Sequence, residues 1–444
     1  MATTGARLRA LHRRLPDASV LNLTYAFTAD GPLSFAAFAS ALQELVIRCP
    51  ALGGKDTAPA YVRRPDLCTL VDLVDESGER QSHAVLASVA VERRTPFALP
   101  HSPGVRARII RLACERHVLV LVFHHAVADA WSLARYAREL GALYGMAARA
   151  EPLPPPSGVR ASAPRADEPP AASTAATELL RETLRGVDRR QVDPFTDAPE
   201  DDAGVWRRVT TFDSGFFEQL RDAARARRRT IFTVFAAAAA RAVGEIYGLP
   251  AVVLGTSVLN RAPSAVLAAE GAHYQGALLH VCAASFDEAL RSASAGISRT
   301  VTQRLAYEEQ KRVLASEIGA RSPIEPALFV FGDRHPLENL LLSGIVLHYL
   351  AEPDGVDDHP SPVHSLLCGR IALFLRECAA AATLNAFSRR GSVPEACALA
   401  ERVVAVLERL VGRSNPAGET PLPWFGALSK RCVPLVDALS PVAL

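Results

Sequence analysis

The chain has 444 residues, of which 49% are hydrophobic and 22% are charged, a balance typical of a globular protein with a large core. The formal net charge of +2 excludes a strong overall attraction to nucleic acid or to an anionic membrane, so we expect neither as a partner. Because this length exceeds one ordinary core, we expect two domains.

No segment of the sequence has the composition of a membrane anchor or a signal peptide. The N-terminal stretch MATTGARLRALHRRLPD lacks an apolar core, and the apolar run at 231–240 stops at Arg241, too short to span a bilayer. We therefore expect a soluble, cytoplasmic protein. The eight cysteines form no C-x-x-C pair and the histidines show no ligand spacing, so we expect no metal and no cofactor bound by the chain itself.

In the first part of the chain, apolar periodicity predicts a mixture of helices and strands. A helix is expected at 33–47, where Phe35, Phe38, Leu42 and Val46 recur at helical spacing, and another at 132–150. Strands are predicted at 83–91, 105–112 and 117–125. The last of these, HVLVLVFHH, is apolar almost throughout and indicates a central strand buried on both faces.

A proline-rich segment then marks the best domain boundary. Residues 151–173 contain seven prolines and no apolar periodicity, which is typical of a stiff, extended linker. We place an N-terminal lobe at 1–155, the linker at 156–175 and a C-terminal lobe at 176–444.

The second part of the chain repeats the mixture of helices and strands. Helices are predicted at 177–184, at 215–248 with a break near the arginine cluster 225–229, and at 393–412. Strands are predicted at 206–212, 250–261, 277–286, 326–333 and 343–353, and 370–378 is a further candidate. The expected class is an α/β (α+β two-layer) fold with a helix-covered sheet on each side of the linker.

The stretch FHHAVADAWS at 123–132 follows the buried strand and carries the candidate chemistry. Side chains alternate faces along a strand, so His124 and His125 should differ in burial, with one of them facing a cleft. A neutral imidazole at a strand end is a good general base. Asp129 lies near apolar sequence and needs a compensating cation, for which Arg261, after the strand AVVLGTSVLN, is the candidate.

The pattern H-H-x-x-x-D-x-W-S resembles the condensation-domain family of nonribosomal peptide synthetases, within the acyltransferase superfamily that includes chloramphenicol acetyltransferase. His124, His125 and Asp129 match the family's H-H-x-x-x-D-G motif, and the segments 96–112, 230–261 and 270–281 also resemble its patterns. The chain departs from those patterns at three positions, where Ala130 replaces glycine, Ser257 a frequent proline and Gln275 a frequent asparagine.

The resemblance implies two chloramphenicol-acetyltransferase-like lobes that form a V around a central tunnel, in a monomeric protein. His125 would be the general base for attack of an amine or hydroxyl on a thioester carbonyl. His124 and an Asp129–Arg261 ion pair would hold the turn. We interpret Trp131 as a packing residue at the start of the helix, and Trp131 and Gln275 are the candidates for lining the tunnel.

The implied function is transfer of an acyl or aminoacyl group from the phosphopantetheine of a carrier protein, which forms an amide or an ester in specialised-metabolite or antibiotic biosynthesis. Because no adenylation or carrier sequence flanks the domain, a free-standing enzyme is expected. One alternative replaces the carrier protein by coenzyme A. The other is a non-catalytic, condensation-like domain that recruits partner proteins.

Overall fold

The structure is a computed structural model of the chain. It describes residues 4–15, 17–53, 65–99, 101–152, 174–195, 205–259, 271–272, 274–303, 305–334, 337, 340–350, 369–377, 382–389 and 392–412.

Within these residues, helices and strands are interspersed along the chain. The helices are α1 Thr4–His12, α2 Phe35–Arg48, α3 Gly78–Arg94, α4 Ala130–Ala148, α5 Thr174–Leu184, α6 Arg189–Val192, α7 Ser214–Ala226, α8 Ile231–Tyr247, α9 Phe286–Gln303, α10 Tyr307–Glu317 and α11 Val393–Leu410. The strands are β1 Asn22–Asp30, β2 Cys68–Asp72, β3 Val105–Ala113, β4 Arg116–His124, β5 Val205–Phe212, β6 Ala251–Leu259, β7 Tyr274–Cys282, β8 Leu328–Arg334, β9 Val346–Tyr349, β10 Ile371–Glu377 and β11 Ala382–Arg389.

The first sheet has the strand order β2-β3-β4-β1-β9, with β4 at its centre. Alternate residues of β4 enter two different hydrophobic cores because side chains alternate faces along a strand. Leu119, Leu121 and Phe123 pack with helices α2 and α4 on one face, whereas Val118, Val120 and Val122 pack against α3 on the other. The prediction of a central strand buried on both faces is therefore confirmed.

One predicted strand is wrong. Residues 83–91, HAVLASVAV, lie inside helix α3, which begins after Ser77 and ends before Thr95. Its buried residues recur every three or four positions: Gln81, Ser82, Val85, Val89 and Glu92. The valines suggested a strand because β-branched residues favour sheets, but the helical spacing of the buried positions decides the structure.

The second sheet has the strand order β5-β11-β10-β8-β6-β7, and helices α7, α8, α9 and α11 cover one of its faces. The alanine run Ala236–Ala240 of α8 is fully buried there, since small side chains allow a helix to lie close to a sheet. No single described helix is long and apolar enough to cross a membrane. Helices α7 and α8, which meet at 96°, would be long and apolar enough only as a bent pair, by length and composition alone.

Among the described strands, the chain returns to the first sheet once, between strands β8 and β10 of the second sheet. Strand β9 pairs antiparallel with β1, so that Phe27 faces Tyr349 and Asp30 faces Val346. The residues before β9 enter the first core, which includes Leu337, Leu340, Leu342 and Ile345. The first sheet therefore combines four strands from the first third of the chain with one strand from its second half.

Candidate active site

The turn that follows β4 is held by backbone hydrogen bonds from several elements. The His124 N–H donates to the Gly104 carbonyl at 2.8 Å, and the His125 N–H donates to the Leu21 carbonyl at 2.9 Å. The Val127 N–H donates back to the His124 carbonyl at 3.0 Å. These bonds fix the path of the chain at the end of the central strand, where the two histidines lie.

His124 is fully buried and forms hydrogen bonds through both ring nitrogens. Its Nδ1 accepts from the Ala126 N–H at 3.0 Å, and its Nε2 lies 3.1 Å from Nδ1 of His12. The ring of Phe97 meets the His124 ring edge-on at a centroid distance of 5.9 Å. Burial, with smaller contributions from nearby His12, His125 and Arg9, lowers the pKa of His124 to about 3, so this imidazole is neutral at pH 7.

His125 is partly exposed, so the two histidines differ in burial as strand alternation predicts. Its Nδ1–H donates to the Ala128 carbonyl at 3.0 Å, and its ring lies 5.2 Å from the ring of Tyr274. Desolvation lowers the pKa of His125, and the Ala128 hydrogen bond and the charge of Asp129 partly oppose that shift. With its proton on Nδ1, the Nε2 lone pair is available, and no described residue hydrogen-bonds to it.

Asp129 is 6% exposed and caps helix α4. Its Oδ1 accepts a hydrogen bond from the Ser132 N–H at 2.8 Å, the contact of an N-cap residue. This role was not predicted, although an aspartate directly before an amphipathic helix is a common N-cap residue. Arg261 lies outside the described residues, so its pairing with Asp129 stays a prediction.

Two of the residues that depart from the family pattern, Ala130 and Gln275, and the candidate tunnel residue Trp131 are placed as follows. Ala130 is the exposed first residue of α4, and among the described non-glycine residues only Ala150 and Arg228 have positive φ, so alanine fits this position without strain. Trp131 is 39% exposed and therefore lies outside the core, contrary to its interpretation as a packing residue. Gln275 pairs through its backbone with Val258, and its side chain lies outside the description.

The C-terminal half of the chain contacts the motif turn directly. The Ser132 hydroxyl donates to the Gly271 carbonyl at 2.9 Å, and Ala272 packs in a small cluster with Leu8, Leu21 and Ala126. Tyr274, at the start of β7, lies beside His125. Sequence reasoning did not identify Tyr274 or His12, because no local pattern links them to the motif.

Two helix-covered sheets, with an H-H-x-x-x-D turn at the end of the central strand of the first, define the chloramphenicol-acetyltransferase-like class of fold. The sequence profile of the Condensation domain matches residues 5–272. The chain therefore belongs to the condensation-domain family, whose members are acyl and peptidyl transferases.

The curated relatives are synthetases much longer than this chain. Cyclosporin synthetase from Tolypocladium inflatum is 26% identical over 344 residues, which cover 74% of this chain and 2% of the synthetase. A nonribosomal peptide synthetase from Curvularia clavata is 26% identical over 368 residues, which cover 78% of this chain and 3% of that protein. The chain thus spans only 2–3% of the length of these two relatives.

Solved structures share the fold. The first condensation domain of the calcium-dependent antibiotic synthetase, in complex with a substrate analogue, has a TM-score of 0.66 at 17% identity, and the match covers 94% of this chain and 97% of that chain. A complex of the X-domain and OxyB from teicoplanin biosynthesis matches with a TM-score of 0.63 at 19% identity, over 92% of this chain and 93% of that chain.

Proposed function

We propose that this chain is an acyltransferase that moves an acyl or aminoacyl group from a carrier-protein phosphopantetheine thioester to an amine or a hydroxyl, with His125 as the general base. The supporting observation is the Nδ1–H hydrogen bond of His125 to the Ala128 carbonyl, which leaves Nε2 unprotonated on a partly exposed ring. A lowered pKa keeps that ring neutral near pH 7, and a general base must be neutral to accept a proton.

The proposed reaction conserves its protons. Nε2 of His125 accepts the proton of the acceptor amine or hydroxyl as that group attacks the thioester carbonyl. A carbon–nitrogen or carbon–oxygen bond forms, the carbon–sulfur bond breaks, and the imidazolium returns the proton to the departing thiolate. No covalent intermediate with the enzyme is needed, and the buried His124 holds the turn without taking part in proton transfer.

The remaining parts of the proposal concern the partners of the reaction. The carrier protein is proposed as donor because the relatives are nonribosomal peptide synthetases, and coenzyme A is the alternative source of the same thioester. We propose that the enzyme acts on a separate carrier protein, as a free-standing enzyme of specialised metabolism. The predicted tunnel-lining residues Trp131 and Gln275, and the Asp129–Arg261 pair, belong to the same proposal.

The function is tested by offering one acyl group on pantetheine, on coenzyme A and on a separate carrier protein. Each donor is incubated with a panel of amines and alcohols, and the products are identified by mass spectrometry. The proposal expects an amide or ester product, formed fastest from the carrier protein. Faster turnover of the coenzyme A thioester would replace the carrier-protein donor by coenzyme A.

Replacement of the base gives the direct test of its role. His125→Ala should lower kcat/KM by roughly 10²- to 10⁴-fold, the usual contribution of a general base, while the unfolding temperature stays close to that of the wild type. His83→Ala is the matched control, because His83 is an exposed histidine of α3 far along the chain from the motif. Acyl transfer at the wild-type rate by His125→Ala would contradict the assignment of the base.

A second candidate function is recruitment of a partner protein without catalysis. It is favoured by one observation, that an X-domain of similar fold was solved in complex with OxyB. Under this alternative no donor would yield product, and His125→Ala would leave partner binding unchanged.

A further inference from the structure

Helix α1 lies directly against the motif turn. A Cβ added at Gly5 would lie 2.6 Å from the Ala126 carbonyl oxygen, so only glycine permits this close approach. One turn further along the helix, Leu8 is 3% exposed and packs in the cluster that contains Ala126. These contacts fix the position of the helix end, which carries His12.

The rings of His12 and His124 form a hydrogen-bonded pair. Their centroids lie 5.0 Å apart with the rings inclined at 73°, and Nδ1 of His12 lies 3.1 Å from Nε2 of His124. The Ala126 N–H donates to Nδ1 of His124, so the proton of neutral His124 must be on Nε2. His124 therefore donates, and Nδ1 of His12 accepts.

We propose that His12 is a positioning residue for the acyl transfer: it accepts the Nε2–H of His124 and thereby holds the turn 124–128 in the geometry that frees Nε2 of His125. This inference rests on the proposed function. The path from His12 to His125 is short. The ring of His124 accepts the Ala126 N–H, and His125 is the residue between them, with its own Nδ1–H bonded to the Ala128 carbonyl.

The surroundings of the pair support an uncharged acceptor at His12. Burial lowers the pKa of His12, and the neighbouring Arg13 lowers it further, while Arg9 and His125 are the other cationic or titratable groups acting on His124. A proton on Nδ1 of His12 would face the Nε2–H of His124, so that two donors would meet with no acceptor between them. An apolar residue there would leave a buried N–H of His124 without an acceptor, which costs the full desolvation of that group.

The test compares two replacements of similar size at position 12 in the full chain. His12→Asn keeps an acceptor, because Oδ1 of asparagine lies near the position of Nδ1 of histidine, whereas His12→Leu fills the space without one. We expect His12→Leu to lower kcat roughly ten-fold with KM within two-fold of the wild type, since positioning acts on the chemical step. His12→Asn should restore at least half of the wild-type kcat.

A packing role for His12 predicts the opposite order. A His12→Leu enzyme as active as the wild type, or as active as His12→Asn, would overturn the proposal. The proposed function fails in a different way, because either the wild type gives no product from any donor or His125→Ala is fully active.

Nuclear magnetic resonance of the ¹⁵N-histidine-labelled protein tests the hydrogen bond without any substrate. The proposal expects His124 as the Nε2–H tautomer in the wild type and in His12→Asn, with a ring N–H that exchanges slowly. In His12→Leu that N–H should exchange at least ten-fold faster. A His124 found as the Nδ1–H tautomer, or an exchange rate unchanged by His12→Leu, would overturn the inference.

Discussion

At the scale of single residues, the carboxylate of Asp129 has one described role and one predicted role. The described role is the cap of α4, and loss of such a cap costs about 1 kcal/mol. The predicted role is the ion pair with Arg261, and removal of one charge from a buried pair costs about 3–5 kcal/mol. Because asparagine keeps the capping oxygen and removes the charge, Asp129→Asn separates the two roles.

We expect Asp129→Asn to lower the free energy of unfolding, measured by urea denaturation, by about 3 kcal/mol, and Asp129→Ala by about 1 kcal/mol more. Asp213→Asn is the matched control, since Asp213 caps α7 through the same contact, a hydrogen bond from the Phe216 N–H at 2.7 Å. If Asp129→Asn is as stable as the control variant, Asp129 is a cap and the ion pair is wrong.

His124 predicts a dependence of stability on pH. Its pKa is about 3 in the folded protein and near 6.5 when unfolded, so below pH 6.5 the unfolded chain binds a proton that the folded chain does not. The contribution of His124 to stability is therefore fully present above pH 6.5 and declines as pH falls toward 3, by up to about 1.4 kcal/mol per pH unit.

This dependence is measured by urea unfolding between pH 7.5 and pH 5. His124→Asn should show a shallower loss of stability toward acid than the wild type, whereas His83→Asn, which changes an exposed histidine, should follow the wild type. Parallel curves for the wild type and His124→Asn would show that His124 takes up its proton in the folded state.

At the scale of secondary-structure elements, buried Glu92 attaches α3 to the first sheet. Its two carboxylate oxygens lie 2.7 Å from Nε of Arg106 and 2.7 Å from Nε of Arg108, and Glu92 is 5% exposed. The guanidinium of Arg106 also lies 4.3 Å from the ring centroid of Phe97, the residue that contacts His124. The ion pairs thus hold Arg106 against Phe97, whose ring packs on His124.

We expect Glu92→Gln to lower the free energy of unfolding by about 3 kcal/mol, because it leaves two partly buried guanidinium groups without a counter-charge. Asp72→Asn is the control, since Asp72 and Arg111 form an exposed pair on the same sheet, and its loss should leave stability nearly unchanged. Equal effects of the two substitutions, measured by thermal or urea unfolding, would contradict a buried role for Glu92.

The elements differ in how well the sequence predicts them. Strand β4 was predictable because its apolar run has no helical spacing, and α4 because its apolar residues recur on one face. Strand β1 was missed although its sequence NLTYAFTAD carries a strand signal, because Leu23, Tyr25, Phe27 and Ala29 alternate with mostly polar residues. The sheet that β9 joins could not be predicted, since its pattern of partial exposure carries no information about its partner.

The residues of the candidate site also differ in how well the sequence predicts their contacts. The inequivalence of His124 and His125 follows from strand geometry and was predictable, and the position of Asp129 directly before an apolar helix was visible in the sequence. The contacts of His12 and Tyr274 depend on the packing of α1 and β7 against the turn, and these long-range contacts leave no local pattern.

At the scale of the whole molecule, the segment before β9 should stabilise the first sheet and not the second. Leu342 is 3% exposed in the first core, and Leu342→Ala should cost about 2–5 kcal/mol through the cavity it leaves. Hydrogen exchange should become faster in peptides from β1 and β4 and change less in peptides from β10 and β11. Leu373→Ala, in the second core, is the matched variant with the opposite pattern.

A larger increase of the exchange rate in β10 and β11 than in β1 after Leu342→Ala would contradict this assignment. It would mean that the segment is energetically part of the second core, although it packs in the first.

The pairing of β9 with β1 joins two strands that are synthesised far apart in time. Strand β1 leaves the ribosome early. Strand β9, which covers its free edge, emerges only after the proline-rich segment 151–173 and most of the second half of the chain have been made. Until then the nascent first half presents an unpaired strand edge, the kind of surface on which chains associate. Translation of this protein therefore has a long interval in which one edge of β1 is without the strand that later covers it.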